Sequence, residues 1–215
     1  NDEATSYISN LRKLKVLQLK DATNISPFGY AELLRNLHDL CSLGRCDSFG
    51  EVITTLYHKW SVYKRSVGTI PAFLALEKVD CEGPISDYEL HLISKHCPKM
   101  RNIRLVYNPV VSRVSESESE LPYLAVLSKI SNLDQLGVMS ADFYSHSLFT
   151  VIKTTGGRLT HLELTNVDEL NLASLMMIGD SCKLVTHITI CCCHYTPEPS
   201  DRNKLEQACT PQART

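Results

Sequence analysis

Apolar residues recur along this chain in one spacing: an anchor, a second three residues on, a third three further, and a fourth two beyond that. Leu11, Leu14, Leu17 and Leu19 form the first row, and Leu37, Leu40 and Leu43 the second, with Arg45 in its last place. Phe73, Leu76, Val79, Cys81 and then Cys97, Met100, Ile103, Leu105 follow. The last three rows are Ile130, Leu133, Leu136, Val138; Gly156, Leu159, Leu162, Leu164; and Cys182, Val185, Ile188, Ile190. The fourth places fall at positions 19, 45, 81, 105, 138, 164 and 190, a period near 26 stretched by the segments 58–68 and 107–120.

Each row closes on an apolar-x-apolar triplet, the period of a short strand, and an amphipathic stretch with spacings of three and four follows it. Tyr30, Leu33, Leu34 and Leu37 make one such helical face, and Leu90, Ile93 and Cys97 another. Leu148, Val151 and Ile152 make a third, and Leu172, Leu175, Met176 and Ile178 a fourth. Ser86 followed three residues on by Glu89 has the form of a capping box. One strand and one helix cannot bury their own apolar faces, so the units are expected to stack. The fold class expected is α/β: a solenoid of about seven repeats forming a single domain over 1–215, with insertions near 58–70 and 107–120. Parallel strands would line the concave side of a horseshoe and helices the convex side. Leu205 and Ala208 suggest one further helix at the C-terminus.

If the anchors point inward, the residues between and beside them form an exposed face. Its candidate partner-binding residues are Lys78, Asp80, Glu82, Asn102, Arg104, Gln135, Met139, His161, Glu163, His187 and Thr189. Varied polar and apolar groups spread over a broad face suit recognition of a protein better than catalysis, which needs a few convergent groups. No phosphate-cradling glycine loop, nucleophile elbow, HExxH or CxxC pair occurs, so no catalytic residue and no cofactor are expected. His161 and His187 stand one period apart and are expected side by side, as a metal or pH-sensitive site or as an ordinary polar pair. In Ile188-Thr189-Ile190-Cys191-Cys192-Cys193-His194, adjacent strand residues face opposite ways. The stretch therefore reads as a strand end and turn, and no metal ligands are assigned.

Two loops extend the list. Trp60, Tyr63 and Arg65 would be either a protruding contact or an insertion folded over the core. Ser115, Ser117 and Ser119 alternate with glutamates and would be phosphorylation sites or part of a solvated acidic loop.

Composition narrows the classes. A net charge of −2 with interspersed signs lacks the basic stripe of a nucleic-acid binder. No apolar run reaches the ~18–20 residues of a membrane helix, and no leader-like block opens the sequence. Nine cysteines, an odd number set among apolar neighbours, read as buried reduced thiols, hence a cytoplasmic or nuclear setting.

The stretches ISDYELHLISKHCPKMRNIRL (85–105) and LASLMMIGDSCKLVTHITI (172–190) resemble the cysteine-containing leucine-rich repeats of F-box proteins. That subtype ends its helix in Cys or Cys-Pro shortly before the next strand, as Cys97-Pro98 does here. The resemblance implies a non-catalytic substrate-recognition part of a ubiquitin ligase, with a protein held on the concave face. The ligase adaptor would be reached only through an F-box upstream, which these residues do not include. A free-standing repeat scaffold or inhibitor is the alternative, and a metal-binding or enzymatic protein using the His and Cys cluster is the competitor from another class.

Overall fold

Strand β1 (Val16–Leu17) pairs in parallel with β2 (Ser42–Arg45), and the sheet continues in chain order through β3 (Lys78–Ile85), β4 (Asn102–Tyr107), β5 (Gln135–Met139), β6 (His161–Thr165) and β7 (His187–Cys191). The computed structural model describes residues 1–19, 24–59, 71–108 and 123–195, apart from the side chains of Lys59 and Glu82. Among these residues the architecture is α/β with one parallel seven-stranded sheet, each strand beside the one preceding it in sequence.

The helical layer follows the same order. Helix α1 (Asp2–Ile8) packs on α2 (Pro27–Asn36), α2 on α3 (Phe49–Thr54), and α3 on α4 (Asp87–His96). A 3-10 turn (Tyr123–Lys129) lies between α4 and α5 (Leu148–Thr155), and α5 packs on α6 (Leu172–Ser181). Local chemistry starts three of these helices where they begin. Ser26 accepts from Gly29 N–H ahead of Pro27, whose ring is preset for a first helical turn. Ser86 and Glu89 close the expected capping box, and Asn171 with Ser174 form a second. Cys97 caps α4 through its N–H to the Ile93 carbonyl, and Pro98 follows where no further helical turn can form.

Strand register follows the anchor spacing. Ile103, Leu136, Leu162 and Ile188 are aligned partners on successive strands, as are Leu105, Val138, Leu164 and Ile190. From Leu17 to Leu164 the third anchors, and most of the fourth, are buried against the helices. The core is therefore a continuous apolar layer between sheet and helices.

Four sequence expectations give way. In the second row a bulge between Leu43 and Arg45 sets Arg45 opposite Asp80. That extra residue turns Arg45 to solvent and buries Cys46, which takes the fourth inward place instead of joining the exposed face. Leu11 and Phe73, first anchors of their rows, are exposed, and in the third row Leu74 is buried instead of Phe73. In α6 only Ser174 and Ile178 are fully buried, while Leu175 and Met176 face outward. Ile188 and Ile190 are 51% and 44% exposed, against 1% and 0% for their partners Leu162 and Leu164. β7 is the last strand described, so no described neighbour covers that edge. Leu205 and Ala208 lie outside the described residues.

The cysteine run resolves into separate roles. Ser140, Asn166 and Cys192 directly follow β5, β6 and β7, and each has a left-handed backbone, φ 57°, 52° and 54°. Cys192 is thus the turn residue of the seventh unit. Cys191 ends the strand, exposed, and Cys193 is half-buried with its Sγ 3.4 Å from the Leu164 carbonyl oxygen. His194 sits with Nδ1 2.6 Å from Asp168 Oδ1. Among the described residues no group of three or more His, Cys, Asp or Glu side chains is placed to hold a metal ion.

Candidate functional site

The face of the sheet turned away from the helices carries two rows of side chains running across the strands. The first row is Val16, Ser42, Lys78, Asn102, Gln135, His161 and His187, register partners from β1 to β7. Parallel strands lie about 4.8 Å apart, so residues in such a row touch their neighbours. Asn102 Nδ2 donates to Gln135 Oε1, which ties β4 to β5. His161 and His187 stack one strand further on, with ring centroids 4.4 Å apart and planes 3° from parallel.

Each imidazole is held from behind. His161 Nδ1 lies 2.9 Å from Thr160 Oγ1, and His187 Nδ1 lies 2.9 Å from Thr186 Oγ1. The Thr-His dipeptide recurs one period apart in the sequence, a signal that the anchor pattern passes over. The Nε2 atoms have no protein partner among the described residues. Parallel rings set their Nε2 atoms side by side rather than aimed at a common point, so the stack as folded is not a chelate for one metal ion.

The second row is Asp80, Arg104, Gly137, Glu163 and Thr189. Arg104 Nη2 donates to Glu163 Oε1 at 2.8 Å, although β5 lies between their strands. The guanidinium passes because position 137 is glycine: a Cβ there would come within 2.9 Å of Arg104 Cγ. Arg104, Gln135, Gly137, His161, Glu163 and His187 together line a depression of about 190 Å3. A second depression, about 340 Å3, opens over Gly44 beside Gln18, Ser42, Lys78 and Asp80. One oxygen of Asp80, Oδ1, is buried with no hydrogen-bond partner among the described residues. Gly44 and Gly137 fall at face positions of the sequence register, but neither brings a functional group, so their part in opening the depressions is not legible there.

The structure brings Asn102, Arg104, Gln135, His161, Glu163, His187 and Thr189 to one depression and places Lys78 and Asp80 at the other. Met139 is half-buried at the end of β5 on the same face, beside Val106 and Thr165. Glu82 lies in β3, with its side chain outside the description. Trp60, Tyr63, Arg65, Ser115, Ser117 and Ser119 all lie outside the described residues.

Thiol chemistry separates along the chain. Burial pushes the Cys46 and Cys97 thiols up to about 12 and that of Cys81 to about 11, so these three remain protonated and inert. Burial likewise raises Tyr107, whose hydroxyl donates to Asp87 Oδ1 at 2.6 Å and locks the end of β4 to the first turn of α4. No described helix is long and apolar enough to cross a membrane. Comparison with known proteins finds no matching family model and no matching curated relative for this chain.

Proposed function

We propose that this chain is a leucine-rich-repeat solenoid that recognises a protein on the sheet face bearing Asn102, Arg104, Gln135, His161, Glu163 and His187. The carrying observation is the in-register parallel sheet, one strand per repeat. It lays side chains of mixed chemistry in two straight rows while the anchors between them are spent on the core. A broad and chemically varied face gives many contacts of moderate strength, which is how proteins recognise proteins. Its side chains are spread along two rows across several strands rather than gathered on one reacting point, so binding is the role we assign to it.

The cysteine-capped helices at Cys97 and Cys182, each followed within a few residues by a strand, support the finer reading. In it the chain is the substrate-recognition part of an F-box ubiquitin ligase. The adaptor would then be bound by an F-box lying before Asn1. A free-standing scaffold uses the same face without that link.

Photo-crosslinking separates the open sheet face from the helical layer. A crosslinker at Gln135 or Thr189 is expected to capture a partner, and one at Lys153 on α5 to capture none. Capture from Lys153 alone would reject this face. Co-purification of the ligase adaptor with the complete protein tests the ubiquitin role, and its absence leaves the scaffold reading.

A further inference from the structure

We infer that the His161–His187 stack is a subsite for an acidic side chain of the partner, bound with uptake of protons. This rests on the protein-recognition reading above and names the chemistry it selects.

The Thr160 carbonyl accepts from Thr186 N–H at 2.9 Å and His187 N–H at 3.2 Å, so both of its lone pairs are engaged. The Asp134 carbonyl is engaged in the same way by Thr160 N–H at 2.8 Å and His161 N–H at 3.3 Å. Each threonine Oγ1 stands 3.2 Å from one of these occupied carbonyls and only 2.9 Å from its neighbouring imidazole Nδ1. The hydroxyl hydrogen is then best placed toward Nδ1, an assignment made from the hydrogen-bond network. That leaves Nε2–H as the outward group on both neutral rings. When a ring gains a proton, Nδ1–H turns to the threonine oxygen and Nε2–H still points outward. In either state the pair offers two parallel N–H donors, with their charge set by pH.

Among the described residues the charged and titratable groups around the stack are few. Arg104 on β4 and Glu163 on β6 line the same depression and are paired with each other. Asp134, just before β5, is held by Arg101, and Cys191 closes β7. No carboxylate in this set is hydrogen-bonded to the imidazoles.

Two like charges on rings whose centroids lie 4.4 Å apart repel, and more strongly at a protein surface than in bulk water. A carboxylate lying across both Nε2–H groups cancels that repulsion, so the partner's acid and the ring protons bind together. A metal ion gains nothing comparable, because the parallel rings do not converge on it.

Random peptides displayed on phage are to be panned against the purified chain at about pH 6 and at about pH 7.5. Enriched peptides are then titrated by calorimetry at about pH 6 and pH 7.5, in buffers of different ionisation enthalpy. The expected result is enrichment of Asp or Glu, affinity falling about tenfold toward the higher pH, and measurable proton uptake. In the His161→Gln, His187→Gln double variant the proton uptake disappears. Binders without acidic residues, or acidic binders whose pH dependence survives in the double variant, overturn the subsite and leave the recognition reading standing. Failure to enrich any binder at either pH overturns both. Inorganic phosphate is titrated alongside. Phosphate binding as tight as the peptides, with the same proton uptake, would make this a site for free anions and overturn its assignment to a partner side chain.

Discussion

Arg104 and Glu163 pair across an intervening strand, above Gly137, where an added Cβ would crowd Arg104 Cγ at 2.9 Å. The two partners are about one-third exposed, 37% and 32%, so solvent screens the pair and its direct contribution is ~1 kcal/mol or less. What the bridge supplies is position: it fixes a long cationic side chain flat across the depression.

Gly137→Ala is expected to displace Arg104 and to destabilise the fold by about 1 kcal/mol, from the crowded Cβ together with the lost pair. In an Arg104→Ala background the same change should cost much less, because the Cγ it would meet is gone. A double-mutant cycle by urea unfolding measures the difference, and equal costs in both backgrounds would show that the bridge does not depend on the glycine.

Cys46, Cys81 and Cys97 hold their protons in the folded chain at pH values where an unfolded thiol, near 9.0, has lost its own. A raised folded pKa means that stability is fully present below about pH 9 and is lost as pH climbs toward 11 to 12. Denaturant midpoints measured between about pH 8 and 10.5 should fall, and Cys97→Ala should shallow the slope. A thiol reagent followed by mass spectrometry is expected to modify exposed Cys191 and Cys192 in the native protein, and the three buried thiols only after unfolding. Cys97→Ser should cost about 1–3 kcal/mol, since the hydroxyl would enter an apolar site.

Truncation along the same register should show a gradient. Leu162→Ala and Leu164→Ala are each expected to cost about 2–5 kcal/mol, as buried core deletions do. Ile188→Ala and Ile190→Ala, half-exposed on β7, should cost about 1 kcal/mol or less, scaled to the smaller area withdrawn from water. Thermal or urea unfolding of the four variants checks it. Equal losses would show that β7 is covered in solution.

Cys192 occupies a left-handed position that side chains other than Asn or Gly adopt at a cost of about 1–2 kcal/mol. Cys192→Asn, which copies Asn166 one repeat earlier, should therefore raise stability by about 0.5–1 kcal/mol. A drop in melting temperature on this change would contradict the turn assignment.

Much of this architecture is legible in the sequence because it is local or periodic. The rows from Cys97 and Met100 through Leu164 set their own strand register, since a period of two admits one inward set and the helix that follows must cover it. Ser86, Glu89 and Cys97 mark a helix start and end within eleven positions. The second row misled for an equally physical reason: a one-residue bulge reverses the side chains that follow it, and Gly44, at the bulge itself, is the one local sign of it beside the alternating pattern.

The candidate site divides the same way. Sequence spacing by itself determined which residues share the open face and which stand on neighbouring strands, His161 beside His187 and Asn102 beside Gln135, because a fixed repeat turns linear distance into lateral adjacency. Tertiary structure decided how those neighbours use one another. Whether two imidazoles converge on a metal or stack, whether an arginine reaches past its neighbour to a carboxylate two strands away, and whether Ile188 and Ile190 are sheltered all depend on side-chain directions and on what lies alongside. Those are relations in space between residues 26 or more positions apart, and no local pattern of hydrophobic and polar positions encodes them.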